Sequence, residues 1–177
     1  RRCWFLLMMM ACGTSSTKEK GSAEDTGTVS WDCDPTAPTV CGLPFPSTFY
    51  MRPDPATETG WRIAFGETTY PANIDWVQPP PDLINEQDGW SPLTPLLAHF
   101  PGVLDKGFIG HDDIGAYASA EATTVIVDVE TGERVPHFVE LDATSTDPER
   151  TLLLIHTVSP MEHGHRYAVG IRGLKDE

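Results

Sequence analysis

Three short stretches of this chain place imidazole, carboxylate or hydroxyl groups close together. His111-Asp112-Asp113, between Gly110 and Gly115, offers ligand types that bind divalent metals. Adjacent residues rarely all face one ion, so the stretch reads as a solvated loop. His163-Gly164-His165 suits a transition metal, yet two His in a turn make only half a site. Ser91 sits in Gly89-Trp90-Ser91-Pro92-Leu93, which lacks the final Gly of the hydrolase elbow G-x-S-x-G and has Pro where the elbow should continue into a helix. His99, His137 and His156 fall in strand-like runs and read as packed or surface residues. Glycine-rich phosphate loops and nucleotide fingerprints are absent. The residues therefore imply no catalytic set, no metal site and no cofactor in this segment.

The remaining chemistry belongs to cysteine. Arg1 and Arg2 precede an apolar run over residues 4–11 that is too short to span the ~30 Å of a bilayer's hydrocarbon. Its charge and size fit a bacterial signal peptide, expected over residues 1–11. The run ends in Met9-Met10-Ala11-Cys12-Gly13, which resembles the lipobox of bacterial lipoproteins, with Met9 where Leu is usual. That resemblance implies that the Cys12 thiol takes a diacylglycerol and that cleavage makes Cys12 the new N-terminus. Loss of Arg1 and Arg2 would take the net charge from −14 to −16, so acyl chains and not charge would hold the protein to a membrane. Gly13 in place of Asp is the choice that, in enterobacterial lipoproteins, favours the outer membrane. The expected location is the cell envelope, at the outer membrane or the periplasmic face.

Residues 13–30 are small and polar, with Val29 the one sizeable apolar side chain, and cannot bury enough surface to offset their ordering entropy. Residues 12–30 thus read as a lipidated flexible tether. Cys33 and Cys41 follow, enclosing Asp-Pro and Ala-Pro steps. In an exported compartment they are expected to form a disulfide, since a metal pair would need tighter spacing and nearby His. So small a loop stabilises by roughly 2–3 kcal/mol at best.

Residues 31–93 combine this loop with a strap rich in Pro and aromatics. Phe45, Phe49, Tyr50, Trp61, Ile63 and Phe65 are too numerous to leave in water, while Pro44, Pro46, Pro53 and Pro55 forbid a regular helix. Residues 61–65 alternate as a short edge strand does, and the triple proline at 79–81 reads as a stiff connector.

From residue 94 the pattern is that of strands. Residues 94–100 form the first of the core, and a polar Gly-rich connection with about one helical turn follows. Then come four apolar runs at 123–129, 135–141, 151–157 and 166–173, divided by turn-forming clusters. Such spacing is the signature of an antiparallel β-sandwich. Val125, Val127 and Val129 share one strand face. Residues 130–133 make a turn with Gly132 suited to positive φ, so the strand at 136–141 is expected to pair back as a hairpin. Leu152 to Ile155 are apolar on both faces, which places that strand centrally. Tyr167, Val169 and Ile171 point inward, and Tyr167 has the position of a tyrosine corner, its hydroxyl returned to the backbone. Sixteen Pro and fifteen Gly agree with an all-β body of many turns.

The blocks LPFPSTFY, DGWSPLTPLLAHFPGVLD, VDVETGERVPHFVELD and TLLLIHTVSPMEHGHRYAVGIRGLKD resemble bacterial Ig-like domains of the surface-layer type. More narrowly, they resemble the N-terminal region of bacterial virulence-factor-type lipases and related predicted lipoproteins. The resemblance covers most of residues 42–176. It implies an Ig-like Greek-key sandwich over 94–177, with the C-terminal α/β-hydrolase domain found in members of that family as the expected downstream neighbour. No catalytic residue of the family has a match here. Arg1 in place of Met, and a last strand followed at once by Gly173 to Glu177, lead us to expect the N-terminal part of a longer protein.

Twelve basic against twenty-six acidic residues oppose binding to nucleic acid or anionic head groups. Two functions are then expected to compete. One is a non-catalytic Ig-like binding or spacer module of a membrane-anchored lipoprotein. The other is the accessory domain of a lipidated lipase or esterase whose catalytic domain lies downstream in the same chain.

Overall fold

A computed structural model describes residues 33–34, 40–104 and 107–176, together with the backbone of Trp4–Leu7. The strand-rich expectation holds. In chain order the strands are β1 (Trp4–Leu7), β2 (Met51–Pro53), β3 (Trp61–Ile63), β4 (Leu96–His99), β5 (Thr124–Asp128), β6 (His137–Leu141), β7 (Leu152–Thr157) and β8 (Arg166–Ile171). The one α-helix among the described residues is a single turn, α1 (Asp82–Asn85). Short 3-10 turns occur at Thr48–Tyr50, Ile114–Ala118 and Pro148–Arg150. No helix among the described residues is long and apolar enough to cross a membrane.

Two three-stranded sheets, ordered β1-β8-β5 and β4-β7-β6, carry the fold, and β2-β3 form a separate ladder. All pairings are antiparallel except β1 with β8, where the run expected to be a leader lies parallel, Trp4 opposite Arg166. β7 is central, as its apolar run requires, with Leu153 and Ile155 essentially inaccessible. β8 alternates as expected, burying Tyr167 and Val169. The Tyr167 hydroxyl accepts from the backbone N–H of Glu162 at 2.7 Å, the geometry of a tyrosine corner.

The expected hairpin of β5 with β6 is corrected. The turn forms, with Gly132 at φ +76, Asp128 N donating to the Glu133 carbonyl and Val135 N to the Ile126 carbonyl. Pro136 then has no N–H with which to continue the ladder. Its carbonyl instead accepts from Val158 N, so the chain crosses and β6 pairs with β7 while β5 pairs with β8. On β5 the more buried face is not the valine face. Thr124, Ile126 and Asp128 are buried, Val125 and Val127 are half-buried, and Val129 is exposed.

The strap is part of the core. Tyr50, Met51, Ile63, Phe65 and Trp90 join Leu96, Ile126, Val139, Leu153, Ile155, Met161, Tyr167 and Val169 in one buried cluster that draws on both sheets. Its aromatic rings meet edge-on from Phe49 to Tyr50, Tyr50 to Phe65 and Phe65 to Tyr70, with centroids 4.9–5.1 Å apart, the arrangement that the ring quadrupole prefers. The edge strand read at 61–65 is β3, paired with β2 and not with either large sheet. Phe45 and Leu97 exchange backbone hydrogen bonds, which docks the strap onto β4.

Candidate functional site: a histidine and carboxylate corner

The end of β5 is built by one carboxylate with two tasks. Asp128 Oδ1 accepts the N–H groups of Glu130 (2.9 Å) and Thr131 (3.3 Å) and so shapes the turn that follows. That leaves Oδ2, which faces His165 Nδ1 at 2.6 Å. His165 arrives from the loop between β7 and β8, where Gly164 supplies a φ of +78. Glu130, at the turn, accepts from Arg166 N at 2.7 Å and from Arg166 Nε at 3.2 Å. The ladder bond from Val129 N to the Arg166 carbonyl holds the two segments together.

The result is three side chains, from two loops 37 residues apart in sequence, whose donor atoms all lie within 4.8 Å of one another. Asp128 is buried, with 8% of its side chain exposed, while His165 is half-buried at 31% and Glu130 is exposed. Burial pushes the Asp128 carboxyl up, but the His165 bond and the two turn N–H groups outweigh it and hold the carboxyl below its usual range. His165 is held above its usual range, first by its bond to Asp128.

The other residues singled out in the sequence lie elsewhere. Cys33 and Cys41 are bonded, their Cα atoms 4.7 Å apart. The Tyr50 hydroxyl closes this loop by accepting from both Asp34 N and Gly42 N at 3.1 Å. Cys12 lies outside the described residues. His111, Asp112 and Asp113 are all exposed, and they do not belong to the cluster of donors. Ser91 Oγ accepts from Leu93 N and caps a turn, without the geometry of an elbow. His137 is fully buried and joins the two sheets: Nδ1 donates to the Val135 carbonyl at 2.8 Å, so the neutral ring's Nε2 accepts from Thr124 Oγ1 at 2.9 Å. His99 Nε2 donates to the Glu149 carbonyl, and His156 stacks on Phe138 with Nε2 3.0 Å from Glu140 Oε1.

Sequence reasoning held one of the three residues, His165, in His163-Gly164-His165, and missed Asp128 and Glu130. The available signal was an Asp closing a strand just before a Glu-Thr-Gly turn, but nothing local connects that turn to His165. Family models, curated proteins and solved structures contain no match to this chain.

Proposed function

We propose that this chain is a non-catalytic, Ig-like β-sandwich module of an exported bacterial lipoprotein, held to a membrane through acylated Cys12 and acting as a binding or spacer domain. The observation that carries this reading is the Cys33–Cys41 disulfide at the threshold of the folded body. Disulfides persist in oxidising compartments, and this one follows directly on segments with the composition of a leader, a lipobox and a tether. The Tyr167 corner supports the Greek-key connection. In a bacterial host given labelled palmitate, the full chain should take up label and partition with membranes, and Cys12→Ala should lose both. A Cys12→Ala protein that stays with the membrane refutes the anchor.

An exposed apolar surface favours a second reading, the accessory domain of a lipase or esterase. Ile74 and Trp76 are 95% and 89% exposed, with Val77 and Leu83 nearby in sequence and also in solvent. Asn73 Oδ1 accepts from Asp75 N and Val77 N, and so holds the loop in a defined shape. Ordered apolar side chains facing water suit packing against another domain. Comparing p-nitrophenyl ester hydrolysis by this segment and by the full product of its gene tests it. Activity confined to the longer protein supports an accessory role; activity in this segment alone overturns both readings.

A further inference from the structure

We propose that Asp128, Glu130 and His165 form a binding site for a divalent transition-metal cation of the zinc class. The inference rests on the corner alone and is independent of the membrane anchor. Each of the three residues offers one ligand atom within 4.8 Å of the others, and His165 Nδ1 already faces Asp128 Oδ2. Ligand atoms bound to zinc at about 2.0–2.2 Å lie roughly 3.4 Å apart in a tetrahedron. The 2.6 Å between Nδ1 and Oδ2 therefore has to open by less than about 1 Å.

Asp128 is oriented in advance, because the turn N–H groups occupy Oδ1 and leave Oδ2 to face the imidazole. This is the role that outer hydrogen bonds play around metal ligands. One imidazole with two carboxylates selects the zinc class over calcium or magnesium, which prefer all-oxygen surroundings. The half-exposed His165 and the exposed Glu130 leave an approach for the cation and space for water in the remaining position. Binding replaces the proton that Nδ1 shares with Asp128 and releases it to solvent. Arg166 is the competitor: its Nε holds Glu130 Oε1 and must give way, while Arg166 N can keep its bond to Oε2.

The test is titration of the full chain with Zn²⁺ against a chromophoric chelator, in detergent, with free thiols alkylated and the disulfide intact. Wild type should bind one equivalent. His165→Gln and Asp128→Asn should each weaken binding at least tenfold, in the range seen when a metal site loses a supporting group. Asp128→Asn keeps the oxygen that accepts the turn N–H groups, and an unchanged far-UV spectrum with a cooperative urea transition whose midpoint lies above the titration conditions verifies that both variants are folded. Arg166→Gln should bind more tightly, because the competing cation is gone. Absence of stoichiometric binding by wild type, or equal affinity in the His165 and Asp128 variants, overturns the site. Unchanged affinity in Arg166→Gln overturns Glu130 as the third ligand.

Discussion

Replacing Tyr50 with Phe removes one oxygen and leaves the ring contacts to Phe49 and Phe65 in place. That oxygen accepts two backbone N–H groups, from Asp34 and Gly42, at the two ends of the disulfide loop. Asp34 is buried, so its N–H is poorly placed to recover hydration when this acceptor goes. An unsatisfied buried donor costs about 1–3 kcal/mol. Gly42 is half-buried and recovers part of its hydration. The sum is about 2–3 kcal/mol, a large fraction of the ~5–15 kcal/mol that stabilises a typical domain. In urea, with a slope of about 2 kcal/mol/M, the midpoint should fall by about 1 M or more. Tryptophan fluorescence is a suitable probe, since Trp90 lies in the same core cluster. Reduction of Cys33–Cys41 supplies the second arm. Once the loop is free to open, both N–H groups rehydrate, so the same substitution should cost less than half as much in the reduced protein. An unchanged midpoint in the oxidised protein refutes the role of the hydroxyl; equal costs in the two redox states refute its coupling to the loop.

Other outcomes follow from single contacts. Tyr167→Phe removes the acceptor for Glu162 N and should cost about 1 kcal/mol, with identical denaturation midpoints refuting the corner. His137 has its pKa lowered, chiefly by burial, with Val135, Thr124 and the Arg134 charge facing the ring and Tyr117 meeting it edge-on. Below the ordinary His value of about 6.5 the unfolded chain binds the proton more readily, so stability is full above that pH and is lost as pH falls through the folded pKa. Urea midpoints measured from pH 7.5 to 5 should show that fall, and a His137→Gln protein should lack this component of it. Trp76 is a non-glycine residue at φ 59 with its side chain in water. Trp76→Gly relieves a left-handed strain of about 1–2 kcal/mol and removes no core contact, so thermal unfolding should not shift downward; a large drop would show that the indole is packed.

Local periodicity determined most of the elements by itself. The alternation in 166–171 is β8, the doubly apolar run around Leu153 is the central strand β7, and Gly132 takes the positive φ its turn requires. Two Cys eight residues apart beyond the expected leader were enough to expect their bond. Tyr167 was legible because its corner is local, reaching back five residues to Glu162. The choice of partners was not legible. A turn after β5 promised a hairpin, but Pro136 ends the ladder and the strands separate into different sheets. Nor did apolarity mark the inner face of β5, where Thr124 and Asp128 are buried because His137 and His165 stand opposite them. Those partners lie 13 and 37 residues away in sequence. A buried polar group is tolerated only where a partner meets it, and that meeting is a property of the assembled sheets. For the same reason the corner of Asp128, Glu130 and His165 exists only in the tertiary structure: pairing of β5 with β8 brings a turn and a distant loop to one end of one sheet.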